Sequence, residues 1–219
     1  MAEETTPRSL PRINEAAPDF TAQTTQGPLT LSSLKGKWVV LFSHPADFTP
    51  VCTTELVEFA RRSSEFEAVN AQLIGLSIDS IYAHIAWVRS MEQNFGVKIP
   101  YPMIADLDTK VAQLYGMIHP GASTTATVRA VFVIDDKGII RALIYYPLTN
   151  GRNVGEILRL VKALQTSDKN SVSTPVNWEP GEQVIVPAPL TADGAEKRLS
   201  EQGMNVKDWY FTKKDLPQA

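Results

Sequence analysis

The single cysteine of this 219-residue chain is Cys52, set in the stretch PADFTPVCTTE, residues 45 to 55. Thr49 is a residue type that caps helices and Pro50 one that opens them. With Pro50 first in a helix, Cys52 is third, and its N–H has no helical acceptor. Its sulfur then lies in the first turn, where the helix dipole is positive. Both features favour the thiolate, the nucleophilic form of cysteine. Such a group attacks an electrophile. A lone cysteine is equally a common small buried apolar residue. Its polar neighbours Thr49, Thr53 and Thr54 are unlike the lining of an inert core thiol. His44, beside Pro45, fits a general base or substrate partner as well as a structural histidine. Glu55 fits an acid favoured by the helix dipole.

A strand must deliver this helix. WVVLFSHP, residues 38 to 45, is a run of β-formers that suits a central strand buried on both faces. Its carboxyl end leads into Cys52, where α/β sheets commonly bind ligands. Leu56, Phe59, Ala60, Phe66 and Val69 recur at helical spacing. QLIGLSID (72 to 79) predicts a strand and residues 81 to 95 a helix closed by Gly96. Asp106 to Tyr115 adds a short helix ended by Gly116. RAVFVIDDKGIIRALIYY (129 to 146) reads as two strands joined by Asp136-Lys137-Gly138. Asn153 to Gln165 is an amphipathic helix. PDFTAQTTQGPLTL (18 to 31) reads as two short strands around Gln26-Gly27-Pro28. This order predicts an α/β fold, a thioredoxin-like mixed sheet flanked by helices. Residues 1–17 are expected to form a flexible polar arm and 18–165 the main domain. A composition shift near Thr166 marks a small C-terminal α+β extension, 166–219. In it QVIVPAP is a strand candidate and DGAEKRLSEQG a helix.

The bulk numbers exclude several classes. Hydrophobic residues make up 43% and charged residues 21%, an ordinary globular balance. A net charge of -3 offers no attraction to nucleic acid or an anionic membrane surface. One cysteine forms no internal disulfide and fits a reducing cytoplasm. MAEETTPRSLPR lacks the apolar core of a signal peptide, and no apolar run approaches the ~18 residues that span a bilayer. Without GxGxxG or GxxxxGK, no nucleotide cofactor is expected. His44, His84 and His119 show no zinc-like spacing with Cys52, so no metal is expected either. His84, in a predicted helix, and His119, before Pro120, read as ordinary surface or packing residues.

SHPADFTPVCTTE closely resembles the active-site motif of peroxiredoxins, Pro-x-x-x-Thr-x-x-Cys, with Pro45, Thr49 and Cys52 in place. Ser43-His44 and Thr53-Thr54-Glu55 look like its 1-Cys, peroxiredoxin six type branch. APDF near the start, LSID at 76 to 79, TVRAVFVID at 127 to 135 and YYPLTNGRN at 145 to 153 resemble that family in matching order. TPVNWEPGE resembles the opening of the branch's C-terminal domain.

The resemblance implies a thiol peroxidase of antioxidant defence, acting on hydrogen peroxide and organic hydroperoxides. Cys52 would attack the peroxide and become a sulfenic acid. With no second cysteine, an external thiol would resolve it, either a small thiol or a thioredoxin-like protein. Charge building on the peroxide oxygens would meet donors from the Cys52 N–H and the Thr49 hydroxyl. Arg129 would reach the sulfur and the peroxide, Pro45 would shield the pocket from water, and His44 would stand near the peroxide. Glu55 and Arg152 would form a supporting pair, although Arg152 alone reads as a solvated loop residue. Relatives assemble as homodimers or rings of dimers, so a homodimer or decameric ring is expected. Some relatives also hydrolyse phospholipids through a Gly-x-Ser-x-Gly serine. The corresponding Leu34-Lys35-Gly36-Lys37-Trp38 has none, so that activity is not carried over. Two other functions stay open. One is a cysteine hydrolase or acyl transferase with His44 as base and Asp79 or Asp106 orienting it. The other is a ring-forming holdase without catalysis.

Overall fold

The computed structural model describes residues 10–217. The chain divides into two compact units, one running to Val154 and the other beginning at Gly155. In the first unit the elements are β1 (Thr21–Thr24), β2 (Gly27–Thr30), β3 (Trp38–Ser43), α1 (Pro50–Arg61), α2 (Ser63–Ala68) and β4 (Ala71–Ser77). They are followed by α3 (Ile81–Phe95), β5 (Met103–Ala105), α4 (Lys110–Leu114), β6 (Arg129–Ile134) and β7 (Ile140–Tyr146).

All six residues of β3 and all six of β6 are buried. Uniform burial follows from their places in the sheet, whose order is β2-β1-β5-β4-β3-β6-β7. β3 runs parallel to β4 and antiparallel to β6, with Leu41 opposite Ile74 on one side and Phe132 on the other. β4 runs parallel to β5, and β6 pairs antiparallel with β7. The sheet is therefore mixed, and helices flank it in the thioredoxin-like arrangement. Its core gathers Val39, Leu41, Ile74, Leu76, Ile104 and Phe132 with Tyr115 and Met117. β3 and β6 lie side by side, so the chain leaving β3 and the first residue of β6 meet at one end of the sheet. That end carries the chemistry.

Four of the differences from the sequence expectation have clear physical causes. The three-residue β5 is too short to show periodicity. The helix expected to run from Leu56 to Val69 is two, divided at Arg62, whose φ of -98° and ψ of 5° leave the helical region. The flexible arm expected over residues 1–17 lies partly outside the described residues. Its described part is tied down: the Asn14 N–H donates to the Ile140 carbonyl at 2.8 Å and the Ala17 N–H to the Gly138 carbonyl at 2.9 Å. Backbone pairing of this kind needs no apolar side chain and leaves no mark in composition. Finally, the polar residues after Thr166 do not end the preceding helix.

In the second unit that helix, α5, begins at the boundary and spans Val154–Asn170. Ser171, with φ of 50°, turns the chain out of it. Polarity there marks a solvated helix face rather than a terminus. β8 (Val184–Val186), α6 (Ala192–Leu199), β9 (Asn205–Asp208) and β10 (Phe211–Lys214) follow. The three strands form a sheet in the order β8-β10-β9. Trp178 is the anchor of this unit. It packs with Ala163, Val172, Val184 and Leu216, and its indole N–H donates to the Glu182 carbonyl at 3.0 Å.

Candidate active site

The segment that leaves β3 is fixed from both sides. The Ser43 hydroxyl donates to the Val128 carbonyl at 2.6 Å and accepts from the Ala130 N–H at 3.1 Å. The His44 N–H donates to the Leu76 carbonyl at 2.9 Å, and its carbonyl accepts from the Thr127 hydroxyl at 2.8 Å. Pro45 is buried behind this clamp. Phe48 then adopts φ of 55°, a left-handed conformation that is rare for a bulky residue and typical of functional turns. The Asp47 N–H donates to Asp79 Oδ2 at 3.0 Å and holds the turn. Thr49 is extended, and α1 opens at Pro50.

Cys52 is accordingly the third residue of α1. The first main-chain bond of the helix runs from the Thr53 N–H to the Thr49 carbonyl, so no helical carbonyl is in register to accept from Cys52. Thr49 occupies the cap position without a side-chain cap bond. Its hydroxyl instead donates to the Ala46 carbonyl at 2.9 Å. The sequence reading made that hydroxyl a donor to peroxide. In the structure its hydrogen is already engaged, and its oxygen lone pairs are what it can offer a ligand.

Arg129, first residue of β6, reaches the sulfur across the end of the sheet. Its Nη1 lies 3.3 Å from Cys52 Sγ and donates to Glu55 Oε2 at 2.7 Å. Nε and Nη2 donate to the Leu148 carbonyl at 3.0 and 2.6 Å. Glu55 also accepts from Arg152: Oε1 from Nε and from the main-chain N–H, both at 2.8 Å, and Oε2 from Nη2 at 2.7 Å. Arg152 Nη1 donates to the Ala130 carbonyl, and its guanidinium lies over the Phe42 ring at 5.4 Å. None of Cys52, Glu55, Arg129 and Arg152 is more than 7% exposed. Burial pushes the Glu55 carboxyl up, but the bonds and charge of Arg152 and the charge of Arg129 hold it below its ordinary value. Arg152 is thus no solvated loop residue. It and Arg129 share one carboxylate.

A second buried network lies beside this one. Asp47 bridges two imidazoles, with Oδ1 at 2.9 Å from His44 Nε2 and Oδ2 at 2.6 Å from His84 Nδ1. His84 Nε2 faces the Ile104 carbonyl at 3.0 Å. The His44 ring lies 5.3 Å from that of Trp87. The sequence reading left His84 as an ordinary residue and passed over Asp47. His84 is wholly buried and belongs to this network. A lone histidine at the centre of a helical segment carries no sequence signal of a partner 37 residues away.

The structure therefore brings Pro45, Thr49, Cys52, Glu55, Arg129 and Arg152 to one end of the sheet, with His44 on the strand exit that leads there. It also corrects the hydrolase alternative. The acid that orients His44 is Asp47. Asp79 accepts from the Asp47 N–H and the Ser77 hydroxyl, and Asp106 accepts from the N–H groups of Val111 and Ala112 at the start of α4. The His44 Nδ1 atom has no hydrogen-bond partner, so it makes no nucleophile–base bond to Cys52. Despite the scattered spacing of the histidines, atoms of His44, Asp47 and Asp79 converge within 4.8 Å. Both carboxylates of that group are already engaged by protein hydrogen bonds. Among the described residues no helix is long and apolar enough to cross a membrane.

Comparison with known proteins gives a consistent result. Residues 13–143 match the AhpC/TSA family, and residues 163–202 match the C-terminal domain of 1-Cys peroxiredoxin. A peroxiredoxin of Aquifex aeolicus is 58% identical, covering 95% of this chain and 98% of its own. One from Thermotoga maritima is 49% identical over 94% of this chain and 98% of its own. Among solved structures, yeast mitochondrial 1-Cys peroxiredoxin, with a thiol-resolving mechanism via glutathione/thioredoxin systems, superposes with a TM-score of 0.83 at 41% identity, covering 94% of this chain and 99% of that one. A cysteine-to-serine mutant of peroxiredoxin 6 of Arenicola marina gives 0.85 at 35% identity, covering 95% and 99%.

Proposed function

This chain belongs to the AhpC/TSA family, in its 1-Cys peroxiredoxin branch, and from that premise we propose that Cys52 is its peroxidatic nucleophile and Arg129 its partner in catalysis. The protein is a thiol-dependent peroxidase. The observation that carries the residue assignment is the 3.3 Å approach of Arg129 Nη1 to a sulfur at a helix start.

The Cys52 thiolate attacks the terminal oxygen of H–O–O–R. The S–O bond forms as the O–O bond breaks, and the RO⁻ that leaves takes a proton to become an alcohol, or water when R is hydrogen. Cys52 is left as a sulfenic acid. Negative charge passes from sulfur to both oxygens, and fixed donors aimed at that charge lower the barrier. The Arg129 guanidinium supplies one, and the Cys52 N–H another. Thr49 Oγ1, with its hydrogen on Ala46, accepts from a peroxide O–H. Pro45 keeps water from the sulfur. Glu55 and Arg152 hold Arg129 in position.

No second cysteine stands in the chain, so reduction comes from outside. An external thiol attacks the sulfenic acid, releasing water and forming a mixed disulfide. A second thiol then frees Cys52 and leaves the external pair oxidised. The Cys52 side chain is wholly buried, so the first turn of α1 must open before a bulky thiol can reach it. The yeast relative favours glutathione or a thioredoxin as donor. Hydrogen peroxide and organic hydroperoxides are the substrates, a homodimer or decameric ring of dimers is the assembly, and the cytoplasm is the location.

The test is stopped-flow mixing of reduced protein with one equivalent of hydrogen peroxide. The expected product gains one oxygen on Cys52 and is trapped by a sulfenic-acid reagent, while Cys52→Ser consumes no peroxide. A Cys52 that meets peroxide no faster than a free thiol in solution ends the assignment.

A further inference from the structure

Donor and acceptor arithmetic in the buried His44–Asp47–His84 network limits where its protons can sit. His84 Nε2 faces the Ile104 carbonyl, which only accepts. His84 Nδ1 faces Asp47 Oδ2 at 2.6 Å, and an ionised carboxylate likewise only accepts. With Asp47 ionised, both ring nitrogens carry hydrogen, which makes His84 an imidazolium. Asp47 Oδ1 faces His44 Nε2 at 2.9 Å, so that nitrogen donates. His44 Nδ1 is buried and has no partner.

We propose that Asp47 and the Ile104 carbonyl hold His84 as a buried imidazolium, that this keeps Asp47 ionised and His44 in its Nε2–H form, and that the bare Nδ1 lone pair of His44 is the acceptor for an O–H of the hydroperoxide. His84 and Asp47 are positioning residues that act through His44. The inference rests on the peroxidase reading above and on His44 meeting the substrate.

Two further observations support it. A buried polar atom left without a partner costs stability and calls for a functional reason. A ligand O–H provides one: the Arg129 guanidinium at the sulfur has five N–H groups and no acceptor, which leaves Thr49 Oγ1 and His44 Nδ1 to accept the two O–H groups of hydrogen peroxide. The charges around the network also favour these proton positions. Burial pushes both imidazoles down. At His84 the bonds and charge of Asp47, the Ile104 carbonyl and the charge of Asp79 outweigh burial and raise it. At His44 burial wins over Asp47 and Asp79, with the His84 charge opposing protonation as well, and the ring stays neutral. Burial raises Asp47, but its bonds to His44 and His84 and their charges hold it below its ordinary value.

The protein has three histidines, so NMR of reduced protein with isotope-labelled histidine nitrogens reads the protons directly. At neutral pH, His84 is expected to show two protonated nitrogens, and His44 a protonated Nε2 with a bare Nδ1. A single N–H on His84, with the shared proton on Asp47, overturns the proposal, as does a proton on His44 Nδ1. Asp47→Asn supplies the functional arm. Its amide can donate to His44 Nε2 and so drive the proton to Nδ1, turning an acceptor into a donor. The single-turnover rate with hydrogen peroxide is expected to fall about tenfold or more, the effect of an unmade buried hydrogen bond. His84→Asn keeps a donor toward Asp47 but removes the charge. It is expected to abolish the decline in rate that the parent shows where His84 loses its proton at high pH. Rates that follow only thermal stability across these variants, with the His44 tautomer unchanged, also overturn it. A parent protein whose Cys52 ignores peroxide sinks the peroxidase reading instead, and the NMR result is independent of that outcome.

Discussion

Arg129 Nη1 lies 2.7 Å from Glu55 Oε2. The same nitrogen stands 3.3 Å from Cys52 Sγ, so one guanidinium serves a permanent anion and a reacting one together. Glu55 draws Arg129 toward the helix start without cancelling it, because Arg152 is a second cation on the same carboxylate. The group Arg129–Glu55–Arg152 carries one net positive charge toward the sulfur.

Arg129→Lys should therefore be a severe change. A single ammonium cannot reach the Leu148 carbonyl, Glu55 and the sulfur in the fork geometry of a guanidinium. The single-turnover rate with hydrogen peroxide, followed by stopped flow, is expected to fall about 10²–10³-fold, the range for loss of a preorganised donor. A rate within a factor of about two of the parent would remove Arg129 from the reaction.

Glu55→Gln tests the supporting carboxylate. It leaves two buried guanidinium groups without their counter-charge, at an expected cost of about 3–5 kcal/mol in denaturant unfolding. The pH dependence has a definite sign. Glu55 is held below its ordinary value of 4.5 in the folded chain, so its contribution is present above that value and is lost as pH falls through the lower folded one. The parent should lose stability below about pH 4.5 more steeply than Glu55→Gln does. Parallel acid limbs would show that the carboxylate is not coupled to folding.

Thr49→Val keeps the shape and removes the oxygen. Because the Thr49 hydrogen is already donated to Ala46, the loss to peroxide is that of an acceptor, and Thr49→Ser should restore most of the rate. Valine is expected to slow single turnover about tenfold. Equal rates for valine and threonine would show that the hydroxyl does not meet the substrate.

His84 predicts an opposite limb. Its folded value is raised above 6.5, so its stabilisation is complete below that pH and is lost as pH rises through the folded value. Burial pushes His44 down instead, which puts its own effect below 6.5 and keeps the two apart. Unfolding midpoints measured upward from about pH 6.5 should decline in the parent and stay flatter in His84→Asn. A parent curve that is flat in this range would mean that His84 is neutral in the folded protein.

Much of this was legible without coordinates. β3 reads as a central strand because burial on both faces leaves it no polar side. Thr49-Pro50 reads as a helix start because a missing N–H and a fixed φ are tolerated there, so the position of Cys52 in the first turn follows from local chemistry. The β6–β7 hairpin announces itself through Asp136-Lys137-Gly138. Local rules of this kind operate within a few residues. The short strand β5, the tethering of Asn14 and Ala17, and strands β9 and β10 depend on pairing with distant chain and leave weaker marks.

For the site the division is sharper. The sequence by itself determined that one thiol would open a helix after a buried strand, and that no second thiol would resolve it. The family resemblance named Arg129, Glu55 and Arg152, but nothing in residue type or spacing places them at the thiol, and tertiary structure does. Arg129 and Cys52 are 77 residues apart, Glu55 and Arg152 are 97, and Asp47 and His84 are 37. Coulomb and hydrogen-bond energies depend on distance and desolvation, neither of which is written in residue type. Packing β6 beside β3 brings Arg129 to the sulfur, and burial sets Asp47 between the imidazoles of His44 and His84.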